Sequence, residues 1–253
     1  MNTAILASHG TDSQPGAAAI AALVSAVAAA LPDWRIYESF IDVQSPDVPT
    51  VLNTAAGDIA ADSSAGAPAT EGSEVAPVTI APLLLATGYH VRKDLTEAAE
   101  EAEEQGTKVR IVPALGPDER LVEVLARRLE EAGATAQDLV ILAVAGSSDP
   151  AAQQQSELVH AMLEQRLGHE VQLAYLSATE PRVKDVIPKL KFQNPRKRVA
   201  VSSYLLADGY FQTKLEASGA QVVTRPLLGP ELPVPQELVD VVISRLNGPD
   251  FAG

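Results

Sequence analysis

The chain alternates between apolar runs with strand character and stretches with helical spacing along almost its whole length. Several apolar runs are continuous, which is typical of strands that helices cover on both faces. The helical stretches have readable ends: Asp118 precedes an apolar stripe that stops before Gly133. This order predicts an α/β fold built from parallel strands under helical layers. The predicted strands are 3–8, 35–40, 78–85, 108–113, 139–144, 170–176, 198–206 and 221–226.

Short segments of the first half recur, in the same order, in the second half. ILASHG at 5–10 returns as ILAVAG at 141–146, and LATGYH at 85–90 returns as LADGYF at 206–211. A Leu-Gly-Pro turn also occurs once in each half. The repeat predicts an internal duplication, with an N-terminal lobe at 1–136 and a C-terminal lobe at 137–253.

The distance between matching segments shortens along the chain, which indicates an insertion in the first copy. The segment 57–77 is rich in Ala, Gly, Ser, Asp and Glu and has little apolar periodicity. We therefore predict that 57–77 is this insertion and that it forms a flexible surface excursion.

The bulk composition excludes several classes of partner and site. A formal net charge of −14 argues against a nucleic-acid or anionic-membrane partner. We find no apolar run of membrane-spanning length and no signal-peptide pattern, so we expect a cytoplasmic protein. The absence of cysteine removes disulfides and thiolate metal sites. Because a duplicated chain has less need of a second copy, we expect a monomer.

Two of the four histidines follow predicted strands. His9 and His90 stand where the carboxyl ends of parallel strands open to ligands. A loop histidine is commonly just a solvated surface residue, but two at equivalent positions favour a functional interpretation. Such a pair can hold a divalent ion loosely and accept protons near neutral pH. That combination suits insertion of a metal into a macrocycle, where two pyrrole protons must leave. We assign no chemistry to His160 and His169.

Three segments resemble the sirohydrochlorin chelatases, which belong to the class II, ATP-independent tetrapyrrole chelatases. They are ASHGTD at 7–12, FIDVQSPDVP at 40–49 and PLLLATGYHVRKD at 82–94. The resemblance extends over essentially the whole chain, including its duplicated halves. It implies two similar lobes, each a four-stranded parallel sheet flanked by helices, with an open cleft between them.

The resemblance also implies an activity, lyase-type metal chelation. His9 and His90 would bind the incoming Fe²⁺ or Co²⁺ and help to remove the macrocycle protons, with no cofactor beyond the metal substrate. We expect iron insertion into sirohydrochlorin, giving sirohaem. The alternatives are cobalt insertion for cobalamin synthesis, a non-catalytic tetrapyrrole or metal carrier, and a flavodoxin-like or periplasmic-binding-like module in which the histidines are incidental.

Further residues are candidates for binding the tetrapyrrole, which carries eight carboxylates. Arg92 and the neighbouring Lys93 would offset the repulsion between this substrate and an acidic protein, or would simply begin a solvated helix. Tyr210 and Phe211 would offer apolar surface from the second lobe. The full set of substrate-binding candidates is Ser8, Gly10, Thr11, Gly88, Tyr89, Arg92, Tyr210 and Phe211.

Overall fold

The computed structural model describes residues 1–65, 76–86, 88–229 and 233–249. They form two four-stranded parallel sheets with strand orders β2-β1-β3-β4 and β6-β5-β7-β8. Helices flank both sheets, which confirms the predicted fold class of two similar lobes. The first lobe runs through β1 (Asn2–Ser8), α1 (Gln14–Ala30), β2 (Trp34–Phe40), α2 (Val48–Ala65), β3 (Val78–Pro82), α3 (Tyr89–Glu104), β4 (Val109–Ile111) and α4 (Glu119–Glu131). The second runs through β5 (Leu139–Val144), α5 (Pro150–Leu167), β6 (Val171–Tyr175), α6 (Val183–Gln193), β7 (Val199–Tyr204), α7 (Tyr210–Glu216), β8 (Val222–Val223) and α8 (Gln236–Leu246).

Local sequence signals set the helix ends. Ser13 caps α1 by accepting a hydrogen bond from the Gly16 amide, and Asp118 caps α4 in the same way. Gly168 ends α5 in the left-handed conformation that glycine adopts without strain. Ser13 and Asp118 thus each place a helix start beyond the carboxyl end of a strand, the edge at which parallel α/β sheets bind ligands.

A central layer of four helices lies between the two sheets. The side chains of Leu23 in α1, Leu125 in α4, Leu163 in α5 and Val242 in α8 are completely buried there. The fourth helix of each lobe crosses to the other lobe: α4 packs on α5 and β7, and α8 packs on α1 and β3. The two halves therefore share one core, while α2 and α3 cover the outer face of the first sheet and α6 and α7 that of the second.

Two arginines, one in each crossing helix, donate hydrogen bonds to the backbone of the other lobe. Arg128 of α4 is 4% exposed, and its guanidinium donates to the backbone carbonyls of 226–227 at 3.2 and 2.8 Å. Arg245 of α8 donates to the carbonyls of 114–115 at 2.9 and 2.8 Å. Each crossing helix thus holds, through an arginine, the chain that follows the edge strand of the other lobe.

The prediction for 57–77 is wrong over its first part. Residues 57–65 continue α2 as regular helix, because alanine has the highest helix propensity and the preceding turns anchor Leu52 and Ala55 against the sheet. Positions 66–75 lie outside the described residues. Part of the extra length of the first copy lies in two longer helices. α2 has 18 residues against 11 in α6, and α3 has 16 against 7 in α7.

The strand predictions are correct in position but too long at several ends. The predicted strand 78–85 ends at Pro82, because the chain then turns away from the sheet towards α3. The predicted strand 221–226 is reduced to Val222–Val223, an edge strand that pairs only with β7. No helix in the described part of the chain is long and apolar enough to cross a membrane.

Candidate functional site

A cleft of about 650 Å³ opens between the lobes, at the carboxyl ends of the central strands of both sheets. The first lobe contributes the loop 8–13 after β1 and the segment 83–86 after β3. The second lobe contributes 144–147 after β5 and 204–212, which leads from β7 into α7. Parallel α/β sheets bind ligands at this edge, so the duplication brings two such edges face to face.

His9 stands on the first-lobe edge of the cleft with an exposed side chain. Its backbone carbonyl accepts hydrogen bonds from the amides of Asp42 and Val43 at 3.3 and 3.2 Å. Gly10 follows with a φ of +88°, and a Cβ there would lie 3.1 Å from the Gln44 amide nitrogen. Only glycine fits this turn without strain, and the turn holds the His9 imidazole at the cleft.

The two neighbours of His9–Gly10 differ in their bonding. Ser8 is 4% exposed, and its hydroxyl has no hydrogen-bond partner among the described residues. Thr11 is engaged in the loop itself: its amide donates to the Gln44 side chain at 2.9 Å, and its hydroxyl accepts from the Ser13 amide at 3.1 Å. The Ser8 hydroxyl therefore differs from Thr11 in being buried without a described hydrogen-bond partner.

The backbone of His90 lies at the start of α3, in the chain that follows the neighbouring strand β3. β3 pairs directly with β1, and Gly88 precedes α3, in which His90 is the second residue. Gly88 lines the cleft close to Ser147 of the second lobe. The side chains of Tyr89 and His90 lie outside the described part, so their roles remain predictions. The structure places His9 just after β1 and His90 in the first turn of α3, which follows the neighbouring strand β3.

Arg92 makes a contact that the sequence did not indicate. Its guanidinium donates to a carboxylate oxygen of Asp149 at 2.7 Å, across the lobe boundary. Asp149 is largely buried and also accepts from the Ala151 amide at the start of α5. This ion pair joins the two lobes. Because Asp149 offsets the positive charge of Arg92, the attraction of Arg92 for a substrate carboxylate is weaker.

The second lobe presents an aromatic pair to the cleft. Tyr210 is 72% exposed, whereas Phe211 is half-buried and packs on the outer core of this lobe. Their ring centroids lie 5.8 Å apart at a tilt of 43°. Lys214 holds its ammonium 4.2 Å from the Tyr210 ring centroid. This wall offers the exposed Tyr210 ring as apolar surface, with a cation beside it.

Two cleft residues escaped the sequence analysis. Tyr204, at the end of β7, is almost fully buried, and its hydroxyl has no partner among the described residues. Burial raises the pKa of Tyr204 well above its ordinary value, so the phenol stays protonated. Burial also raises the pKa of Asp208; repulsion from Glu216 adds to this effect and Arg225 opposes it. When the two copies are aligned, the first has a leucine and a threonine where the second has Tyr204 and Asp208. This difference between the copies was the sequence signal that could have identified the two residues.

The described side chains contain no group of three or more histidine, aspartate or glutamate residues that would hold a metal ion together. The described part of the cleft therefore offers the His9 imidazole and scattered oxygen donors, not a closed structural metal site. A site with few protein ligands keeps coordination positions open, as transfer of a metal to another ligand requires.

Comparisons with known proteins point in one direction. The chain is 30% identical over 152 residues to a sirohydrochlorin ferrochelatase of Priestia megaterium; the match covers 58% of this chain and 57% of that relative. It is 39% identical over 54 residues to a sirohydrochlorin cobaltochelatase of Sulfurisphaera tokodaii, covering 21% of this chain and 43% of the relative. The chain thus spans little more than half the length of the first relative and less than half of the second.

Solved structures share the fold over nearly the whole chain. SirB from Bacillus subtilis with Fe³⁺ superposes with a TM-score of 0.77 at 21% identity, covering 99% of this chain and 100% of that one. CbiX, described as the terminal enzyme for siroheme biosynthesis in denitrifying bacteria, gives 0.63 at 18% identity, covering 96% and 99%. The CbiX family model matches residues 3–132 and again 139–247. The chain therefore belongs to the CbiX family and contains the family unit twice.

Proposed function

We propose that this protein is an ATP-independent chelatase that inserts a divalent metal ion, Fe²⁺ in preference to Co²⁺, into sirohydrochlorin. The observation that carries the proposal is His9, an exposed imidazole at the carboxyl end of β1 on a cleft between two CbiX units. The two relatives described above act, by their names, on this tetrapyrrole. The cleft is open along its mouth, as a broad planar substrate requires.

The reaction requires an ion to be held and then released while two pyrrole N–H protons leave. A neutral imidazole is a good ligand for a divalent ion and accepts a proton near pH 7. His9, with His90 at the start of α3 as its predicted partner, would hold the metal substrate with few protein ligands. As the four macrocycle nitrogens replace the imidazoles, the freed imidazoles accept the two protons and pass them to solvent.

We place iron first because the longer match, over 152 residues at 30% identity, is to a ferrochelatase; the match to the cobaltochelatase is shorter, 54 residues, but higher, at 39%. Ligand chemistry does not separate the two ions, because imidazole binds both. The preferred metal therefore has to be determined by comparing turnover with each ion.

The test is an anaerobic assay of purified protein with sirohydrochlorin and either Fe²⁺ or Co²⁺, followed by the absorption change and corrected for the spontaneous rate. We expect multiple turnovers, faster with Fe²⁺, and the same rate with or without ATP. No acceleration over the spontaneous rate would refute the proposal. Faster turnover with Co²⁺ would replace iron by cobalt, and a single equivalent of retained product would indicate a carrier.

Histidine variants test the assigned chemistry. His9→Ala and His90→Ala should each lower kcat about 100-fold or more, the scale of lost general-base and ligand functions. His169→Ala is the matched control, because this exposed histidine is absent from the cleft lining and has the Glu170 carbonyl as its hydrogen-bond partner. Unchanged rates in both cleft variants would refute the roles of His9 and His90.

A further inference from the structure

Lys214 is an uncompensated cation beside the cleft. Its side chain is exposed and makes no ion pair or hydrogen bond with the residues that the structure describes. The acidic residue nearest to it along α7, Glu216, accepts a hydrogen bond from the Gln212 side chain at 3.2 Å. Residues two apart on a helix also point in different directions. No described carboxylate therefore neutralises Lys214.

The geometry directs this charge towards the cleft. Lys214 lies four residues after Tyr210, so both side chains share one face of α7. Long helical side chains lean towards the helix N-terminus, and the start of α7 faces the cleft mouth. The ammonium accordingly lies over the Tyr210 ring, which itself lines the cleft. The aromatic face holds the cation in place without neutralising it.

An acidic protein that binds a polycarboxylate needs local positive charge. The net charge of this chain is −14, so the average field repels an anionic ligand. On the first-lobe side Arg92 is already paired with Asp149 at 2.7 Å. Lys214 thus offers a ligand carboxylate a cation on the second-lobe wall, which lacks the histidines.

Resting on the proposed function, we infer that Lys214 binds a peripheral carboxylate of the tetrapyrrole, with the macrocycle seated beside Tyr210. The second lobe then contributes substrate affinity and orientation, while the first contributes metal chemistry. Lys214 contacts only the substrate periphery, so it affects binding of the tetrapyrrole and not the rate at saturation.

The experiment is an equilibrium titration of metal-free sirohydrochlorin, followed by its own absorption, at low and high salt. Lys214→Gln should weaken binding about three- to tenfold at low salt, with a smaller difference at high salt because an exposed pair is screened. Lys214→Arg should bind within about twofold of the unchanged protein, since it keeps the charge. The matched control is Lys189→Gln, an exposed lysine of α6 outside the cleft lining, which should bind normally.

Turnover separates this inference from the proposed function. In the chelation assay Lys214→Gln should raise the KM for sirohydrochlorin, leaving kcat and the KM for the metal unchanged. Normal binding by Lys214→Gln at low salt, or an equal loss in Lys189→Gln, would overturn the role of Lys214 alone. Weaker binding by Lys214→Gln in a protein that shows no turnover would support the carboxylate contact while refuting the chelatase proposal.

Discussion

The edges of the cleft formed by β1 and β5 have the same backbone but different side chains. In each lobe the last residue of the central strand accepts a hydrogen bond from the chain just after the neighbouring edge strand. Gly10 and Gly146 follow with φ angles of +88° and +91°. The residue before each glycine differs: His9 is exposed to the cleft, whereas Ala145 packs on the outer core of its lobe. The turn is common to both copies, and only the first copy places a histidine before its glycine.

The two edges also differ in how their polar groups are hydrogen-bonded. In the second lobe the Ser177 hydroxyl donates to the Ala145 carbonyl at 2.7 Å, and Thr179 and Gln153 both donate to the Ser147 carbonyl. In the first lobe the Ser8 hydroxyl remains without a described partner. The carbonyls after β5 thus receive side-chain hydrogen bonds from their own lobe, whereas the Ser8 hydroxyl at the end of β1 has no described partner.

The two turn glycines provide the strongest test of this comparison. A Cβ at Gly146 would lie 2.0 Å from the Ser177 carbonyl oxygen, whereas one at Gly10 would lie 3.1 Å from its nearest neighbour. Gly146→Ala should therefore lower the free energy of unfolding by about 3 kcal/mol or more. Gly10→Ala should cost about 1–2 kcal/mol, mainly from its positive φ.

Urea unfolding measures both losses, and the chelation assay measures activity under conditions where both variants are folded. Gly10→Ala should reduce turnover more than Gly146→Ala, because it displaces His9. Equal losses of stability, or the opposite order of activities, would mean that the two edges are not specialised in this way.

The crossing arginines should give the next largest effect. Arg128 is nearly fully buried, whereas 21% of the Arg245 side chain is exposed. Arg128→Met leaves the carbonyls of 226–227 without a partner and should cost about 2–3 kcal/mol; Arg245→Met should cost about 1–2 kcal/mol. Thermal or denaturant unfolding checks the order, and a greater loss at Arg245 would contradict an explanation based on burial.

The smallest expected effect concerns acid stability and also distinguishes the lobes. Arg198 donates to both carboxylate oxygens of Asp138 at 2.9 and 2.7 Å, and this holds the pKa of Asp138 below its usual range, with help from Thr135. Because the folded pKa is lowered, the stabilisation is complete above the unfolded pKa of about 4. It is lost as the pH falls through the folded pKa.

Asp138→Asn should therefore flatten the dependence of unfolding free energy on pH below about 4. In the aligned repeat the first copy has Asn2 at this position, so the effect belongs to the second lobe. Asp33→Asn, which alters an exposed carboxylate before β2, is the control. A pH profile unchanged by Asp138→Asn would rule out this pair as a source of acid sensitivity.

The sequence predicted the fold because its signals are local. Runs with strand character, several of them continuously apolar, located the eight strands of the described residues, and β5 was predicted at its observed bounds. Asp118 and Gly133 correctly bracketed α4. The second half of α2 was missed because its turns lie beyond the buried anchor residues and carry no apolar period. Alanine propensity was the available signal there.

Contacts between the lobes were beyond sequence reasoning. An apolar stripe on α4 or α8 shows that one face is buried but not which sheet covers it. The pairing of Arg92 with Asp149 depends on the same lobe arrangement. One signal was available: Leu121 and Arg128 of α4 align with Leu238 and Arg245 of α8 at constant spacing, a further element of the repeat.

The exchange of α4 and α8 has a mechanical consequence. Rotation of one lobe away from the other would pull α4 off β7 and α8 off β3 simultaneously, and both contacts belong to the shared core. Hinge opening of the kind that two-lobed binding proteins use is therefore opposed by the whole hydrophobic interior. We expect the cleft to behave as a stiff frame, in which entry and departure of a large flat ligand depend on the loops and side chains at its mouth.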